Sequence, residues 1–165
     1  MTVNLAYGAF DLGMEDPTPS EDLTGYEGQG VYWNGTAWAP ASLTSQVVTL
    51  GLGFNERFGV VVEGGETTEA LTIAYCEGGG LVEATAGTGG VTVGDYVVPE
   101  YAASGTDRGR FIDNTNGWHT GEVAWGRAMN TAAEDGMFML DMGARFVAAD
   151  QIPYRPGTAL ATVGA

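Results

Sequence analysis

Apolar and polar side chains alternate with a period of two along much of this chain, the mark of half-buried β-strands. The pattern is clearest in two stretches, 59–76 and 126–143. The first reads GVVVEGGETTEALTIAYC, and the second lies within GEVAWGRAMNTAAEDGMFMLDM (121–142). A slide of 67 residues lays Gly59 on Gly126, Leu71 on Phe138, Ile73 on Leu140 and Tyr75 on Met142. Each copy is a glycine, a short apolar strand, a small acidic turn and an alternating apolar strand. The chain therefore repeats a β-turn-β unit. Leu71, Ile73, Tyr75, Phe138, Leu140 and Met142 are expected in the core at equivalent places.

Other segments fall around this pair. Residues 1–16 alternate in two phases: Val3, Leu5 and Tyr7 share one face, and Phe10, Leu12 and Met14 the other. Gly8 sits at the slip, where a bulge re-aims a strand. Asp16-Pro17 ends the run, and Thr18-Pro19-Ser20-Glu21 has the spacing of a capped helical turn. This gives an extended arm and linker over 1–24, a β-domain over 25–150 and an irregular Pro-containing tail over 151–165. The arm reads equally well as a first core strand. In 29–40, Asn34-Gly35 suits the centre of a type I′ hairpin flanked by Trp33 and Trp38. Further strands are expected at 48–54, 81–85, 91–98, 110–113 and 144–149, with a second hairpin turn at Asn116-Gly117. Thr131–Glu134 predicts a turn or a single helical turn.

Composition sharpens this. The 165 residues are enough for one ordinary domain. Twenty-seven glycines and 16% charged residues suit short strands joined by tight turns. Acids number 21 against six basic residues, giving a net charge of −15. That balance opposes binding to nucleic acid or to an anionic membrane, both of which need cations. Cys76 is the single cysteine, so no internal disulfide can form. No apolar run reaches 18 residues, and the start MTVNLAYGAFDLGMEDP lacks the basic n-region of a signal peptide.

Residues that carry chemistry are sparse. His119 is the only histidine, and no Ser-His-Asp or Cys-His set is evident. A zinc site needs three or four ligands of the better kinds. Asp113–Gly117 resembles a calcium loop but lacks the trailing bidentate Glu, and a hairpin turn explains it better. Glu15-Asp16, Glu21-Asp22 and Glu134-Asp135 read as solvated turns. No catalytic, metal or cofactor residue is assigned, and an enzyme is not expected. Trp33, Trp38, Trp118 and Trp125 leave open a carbohydrate-binding or fibre-tip module.

Two stretches carry a family likeness. One is Gly126-Arg127-Ala128 through Glu134 to Phe138. The other is EGGGLVEATAGTGGVTVGDYVV (77–98), with Gly80, Val82, Ala84, Gly90, Val91, Gly94, Asp95 and Val97. Together with the opening hairpin GVYWNGTAWAPAS (30–42), they resemble the capsid decoration, or cement, proteins of tailed phages, over about 29–146. The resemblance implies a small β-barrel or β-tulip domain on the outside of an icosahedral head, homotrimeric on the particle. It would clamp major capsid subunits and have no active site. The arm residues Val3, Leu5, Tyr7, Phe10, Leu12 and Met14 are then the expected contact with the capsid or a neighbouring chain.

Overall fold

A glycine opposite a carbonyl sets the architecture of both repeat copies. In a computed structural model, which describes residues 18–34, 36–41, 58–75, 79–100, 105–113 and 124–144, strand β3 (Phe58–Glu63) pairs antiparallel with β4 (Thr72–Tyr75). Likewise β8 (Gly126–Ala128) pairs with β9 (Met137–Asp141). The registers coincide: Val60↔Ala74 and Val61↔Ile73 in the first, Arg127↔Asp141 and Ala128↔Leu140 in the second. A Cβ on Gly59 would lie 2.5 Å from the Ala74 carbonyl oxygen and 2.6 Å from Ile73 Cγ2. On Gly126 it would lie 2.5 Å from the Asp141 oxygen and 2.6 Å from Leu140 Cδ1. The two chain segments cross too closely there for any side chain, which is why both copies begin on glycine.

The correspondence extends beyond the hairpins. Strand β1 (Gly30–Trp33) pairs with β2 (Trp38–Pro40) and with β3. Strand β6 (Tyr96–Pro99) pairs in the same way with β7 (Phe111–Asp113) and with β8. Val31↔Gly59 answers to Val97↔Gly126, and Trp33↔Trp38 to Pro99↔Phe111. Turns match as well. Gly28 and Gly94 both have φ near +80 to +90° (79° and 89°). Gly28 N–H donates to Val61 O at 2.8 Å, and Gly94 N–H to Ala128 O at 2.7 Å. The entry to each unit also repeats: Pro19 bridges Trp38 in parallel, as Ala86 bridges Phe111. The first sheet runs β2-β1-β3-β4. The second has the same order, β7-β6-β8-β9, with β5 (Leu81–Thr85) added on the outer edge of β9.

The fold is thus mainly β, two antiparallel sheets rather than the expected closed barrel. The second sheet curls strongly: Thr85 pairs with Met137 on one edge, and the next residue, Ala86, reaches Phe111 on the other. One isolated bridge brings the edges together without making a continuous ladder. The first sheet lies across that gap, with Thr85 N–H donating to Gly28 O at 2.9 Å and Gly30 N–H to Gly109 O at 2.7 Å.

Packing follows the repeat. Leu71, Ile73, Tyr75, Phe138, Leu140 and Met142 are all buried. On the first sheet they join Leu23, Val31, Trp38 and Val61. On the second they join Val91, Val97, Phe111 and Ala128, the counterpart positions. The other face of the first sheet, Phe58, Val60, Val62 and Ala74, belongs to the same cluster as the inner face of the second. The two units are therefore stacked head to tail, the outer face of one against the inner side of the next.

Several local expectations shift. Val91–Val98 is not one strand: Thr92–Asp95 closes a turn with Gly94 left-handed, so only Tyr96–Pro99 is extended. Asn34 is not left-handed. Its side-chain oxygen accepts from Thr36 N–H at 3.0 Å and Ala37 N–H at 2.9 Å, which moves the hairpin turn one residue along. Residues 18–24, read as linker with a helical turn, instead pack on the first sheet. Ser20 N–H donates to Trp38 O at 2.7 Å, and Leu23 is fully buried. Thr131–Glu134 is a turn, with Thr131 Oγ1 accepting from Val93 N–H at 3.1 Å. Met142–Ala144 is a 3₁₀ turn. The strand expected at 48–54, the turn at 116–117 and the tail at 151–165 lie outside the described residues.

Candidate functional site

The expected contact residues Val3, Leu5, Tyr7, Phe10, Leu12 and Met14 lie outside the described residues. The point where that segment joins the domain is described. Trp38, on the edge strand β2, holds Thr18–Ser20 on both sides: its N–H donates to Thr18 O at 3.0 Å, and its carbonyl accepts from Ser20 N–H. Close by in the chain an ionic clasp forms. Arg108 Nη2 lies 2.7 Å from Glu21 Oε1 and donates to Tyr26 Oη at 3.1 Å, while Arg108 Nε donates to Gly105 O at 3.1 Å. Tyr26 Oη donates to the same Gly105 carbonyl at 3.0 Å. Burial alone would lower the affinity of Arg108 for its proton. The Tyr26 hydrogen bond and the Glu21 charge outweigh it and raise the pKa above its ordinary value. Asp22 turns its carboxylate onto Thr24, whose hydroxyl and N–H bonds hold its pKa below the usual range.

This clasp ties the start of the domain to the β6–β7 connection, joining two segments about 80 positions apart in sequence (|i−j| = 82 for Tyr26 and Arg108). Arg108→Met is expected to cost no more than about 1 kcal/mol, because the pair is partly solvated. Urea unfolding at low and high salt measures it, and the loss should shrink as salt screens the pair. Arg110 makes a second tie, pairing with Asp107 at 2.8 Å and with Asp135. Asp135 is left-handed at φ 64°, and its N–H donates to Ala86 O at 3.0 Å.

Among the described residues, Val93 (52%) and Met129 (48%) are the large apolar side chains left exposed. They sit on adjoining turns, joined by the Val93–Thr131 and Gly94–Ala128 hydrogen bonds. Beside them Arg127 donates from Nε to Gly94 O at 3.1 Å. The repeat could have flagged this spot. Met129 is the counterpart of Val62, which is buried between the sheets. Sequence reasoning missed both it and the arginine ties.

The aromatic set divides. Trp38 and Trp125 are buried, and Trp33 is half-buried against Trp38 with ring centroids 5.8 Å apart. Trp125 packs between Phe58 and Phe111. Trp118, His119 and Cys76 lie outside the described residues. No group of three or more His, Cys, Asp or Glu side chains suited to a metal ion occurs among the described residues. Nor, among them, is any helix long and apolar enough to cross a membrane. No protein-family model, curated protein or solved structure matches the chain.

Proposed function

We propose that this protein is a structural virion component, a capsid decoration protein that binds the outer surface of an icosahedral head and strengthens contacts between major capsid subunits. One observation carries the reading. The short glycine-valine-alanine signature behind the family resemblance falls on matched structural positions in a duplicated unit: Gly94 and Val97 answer to Gly28 and Val31, and Gly126 to Gly59. A chance likeness of composition has no reason to respect that correspondence.

The charge of −15 suits a protein that stays soluble before assembly and then meets a less acidic partner surface. The partners are the major capsid protein and further copies of the chain, as a homotrimer on the particle. Nucleic acid and membrane are not partners in this reading, and no cofactor is needed. The arm carrying Val3, Leu5, Tyr7, Phe10, Leu12 and Met14 supplies the capsid contact by strand addition. The carbohydrate-binding alternative is weakened because Trp38 and Trp125 are spent on packing.

Co-sedimentation with undecorated heads is the test. The full chain is expected to pellet with the particles, and a chain lacking residues 2–10 to remain folded in the supernatant. Failure of the full chain to bind any such head, with binding on a glycan array instead, would replace this reading by the alternative.

A further inference from the structure

The duplication leaves one mismatch. In the second unit, β9 is flanked on both sides, by β8 and by β5. In the first unit, among the described residues, β4 is flanked by β3 alone. Strand β5 is the segment that leads directly into Ala86, the residue that bridges Phe111. Pro19 makes the same bridge to Trp38. In the second unit a single peptide step separates the pairing on β9 from the bridge on β7. The chain entering Pro19 therefore emerges beside the outer edge of β4.

We propose that residues 12–16 of the same chain add antiparallel to the outer edge of β4, as a fifth strand equivalent to β5, with Leu12 opposite Tyr75 and Met14 opposite Ile73. The register is argued from faces and donors. Copying β5 residue for residue would put Glu15 opposite Ile73, at the place of the fully buried Val82. A carboxylate there would be desolvated without a partner. It would also put Pro17 at the place of Ala84. Ala86 N–H donates to Gly136 O across the β9 side, while Thr85 N–H points the other way, to Gly28. By alternation the Ala84 N–H faces β9, and Pro17 has none to offer.

A slip of one residue resolves both conflicts. Met14 and Leu12 then join Ile73, Tyr75, Val31 and Val61 on the buried face. Glu15 stands opposite the exposed Thr72, and Gly13 opposite Ala74. Val61 N–H donates to Gln29 O on the β1 side, so Val60 and Ala74 face each other. Ile73 N–H then points outward, toward the added strand. Because one face is buried, the hydrophobic pattern selects this register over its neighbour. The inference does not depend on the capsid reading. It assigns Leu12 and Met14 to the chain's own sheet and leaves Val3, Leu5, Tyr7 and Phe10 for a partner.

Cysteine pairs in the full chain test it, with Cys76→Ser to remove the native thiol. Gly13 and Ala74 would form a non-hydrogen-bonded pair with Cα atoms about 4.5 Å apart, within the span of a disulfide. Gly13→Cys with Ala74→Cys is expected to give an intramolecular disulfide on mild oxidation, and Met14→Cys with Ala74→Cys to give little. A folded Gly13/Ala74 pair that stays reduced, preferential bridging of the Met14/Ala74 pair, or bridges only between chains would each overturn the proposal. Hydrogen exchange provides a second measurement without cysteines. Met14→Pro should speed exchange of the Ile73 amide by about tenfold or more while leaving Ala128 unchanged, as local opening of an edge requires. An unchanged Ile73 rate would overturn the assignment.

Discussion

Truncating Leu140 to Ala is expected to destabilise the folded protein by about 2–5 kcal/mol, and Ile73→Ala by a similar amount. Both side chains are buried, Leu140 completely. Both stand on the inner face of the second strand of a repeat hairpin, opposite Ala128 and Val61. Removing either opens a cavity whose walls are held by two neighbouring strands and cannot collapse fully. Denaturant unfolding with near-unchanged slope is the measurement. A loss under about 0.5 kcal/mol at Leu140, the size expected of a change at the surface, would mean that the second sheet is peripheral.

The second large effect is expected from adding one methyl group. Gly126→Ala drives a Cβ against the Asp141 carbonyl and Leu140 Cδ1, and Gly59→Ala against the Ala74 carbonyl and Ile73 Cγ2. The leucine and isoleucine tips can rotate, but the carbonyls belong to ladders and can move only by parting the strands. A cost of about 1–3 kcal/mol is expected at each site. Gly25→Ala is the control for added bulk: its Cβ would meet nothing within 4 Å, so any loss there comes from its φ of 83°. Thermal unfolding of the three variants separates crowding from backbone strain. Equal losses at Gly59 and Gly126 would mean that the two hairpins bear equal weight.

The hairpins were legible in the sequence because their signals are local. Alternation along 71–75 and 138–142 marks strands, and the shared slide of 67 residues marks the pair. Strand β5 was legible for the same reason, and its bounds coincide with the expected 81–85. Other features depend on partners remote in sequence. Val91–Val98 alternates like a strand, yet Val91 instead bridges Ala132 and Gly94 breaks the run. Pro19 reads as a helix start but is captured by Trp38, with which it shares no local pattern. Barrel closure depends on whether the edges of a curled sheet meet along a ladder or at one residue, and alternation is blind to that difference. The ties from Arg108 and Arg110 were invisible for the same reason. The candidate contact arm was legible only as a composition, six apolar side chains ahead of an acidic break.

The head-to-tail stacking of the two units bears on how such a chain stays finite. A unit whose outer face fits the inner side of its own copy has no intrinsic reason to stop at two, and open heterologous contacts propagate into fibres. The termination is written in the substitutions between copies. Val60 and Ala74, packed between the sheets, become Arg127 and Asp141 on the outer face of the second unit. A third unit arriving there would have to strip water from both charges. Two polar replacements at matched positions thus act as a stop signal for polymerisation, and they allow a self-complementary motif to be duplicated within a chain that remains soluble.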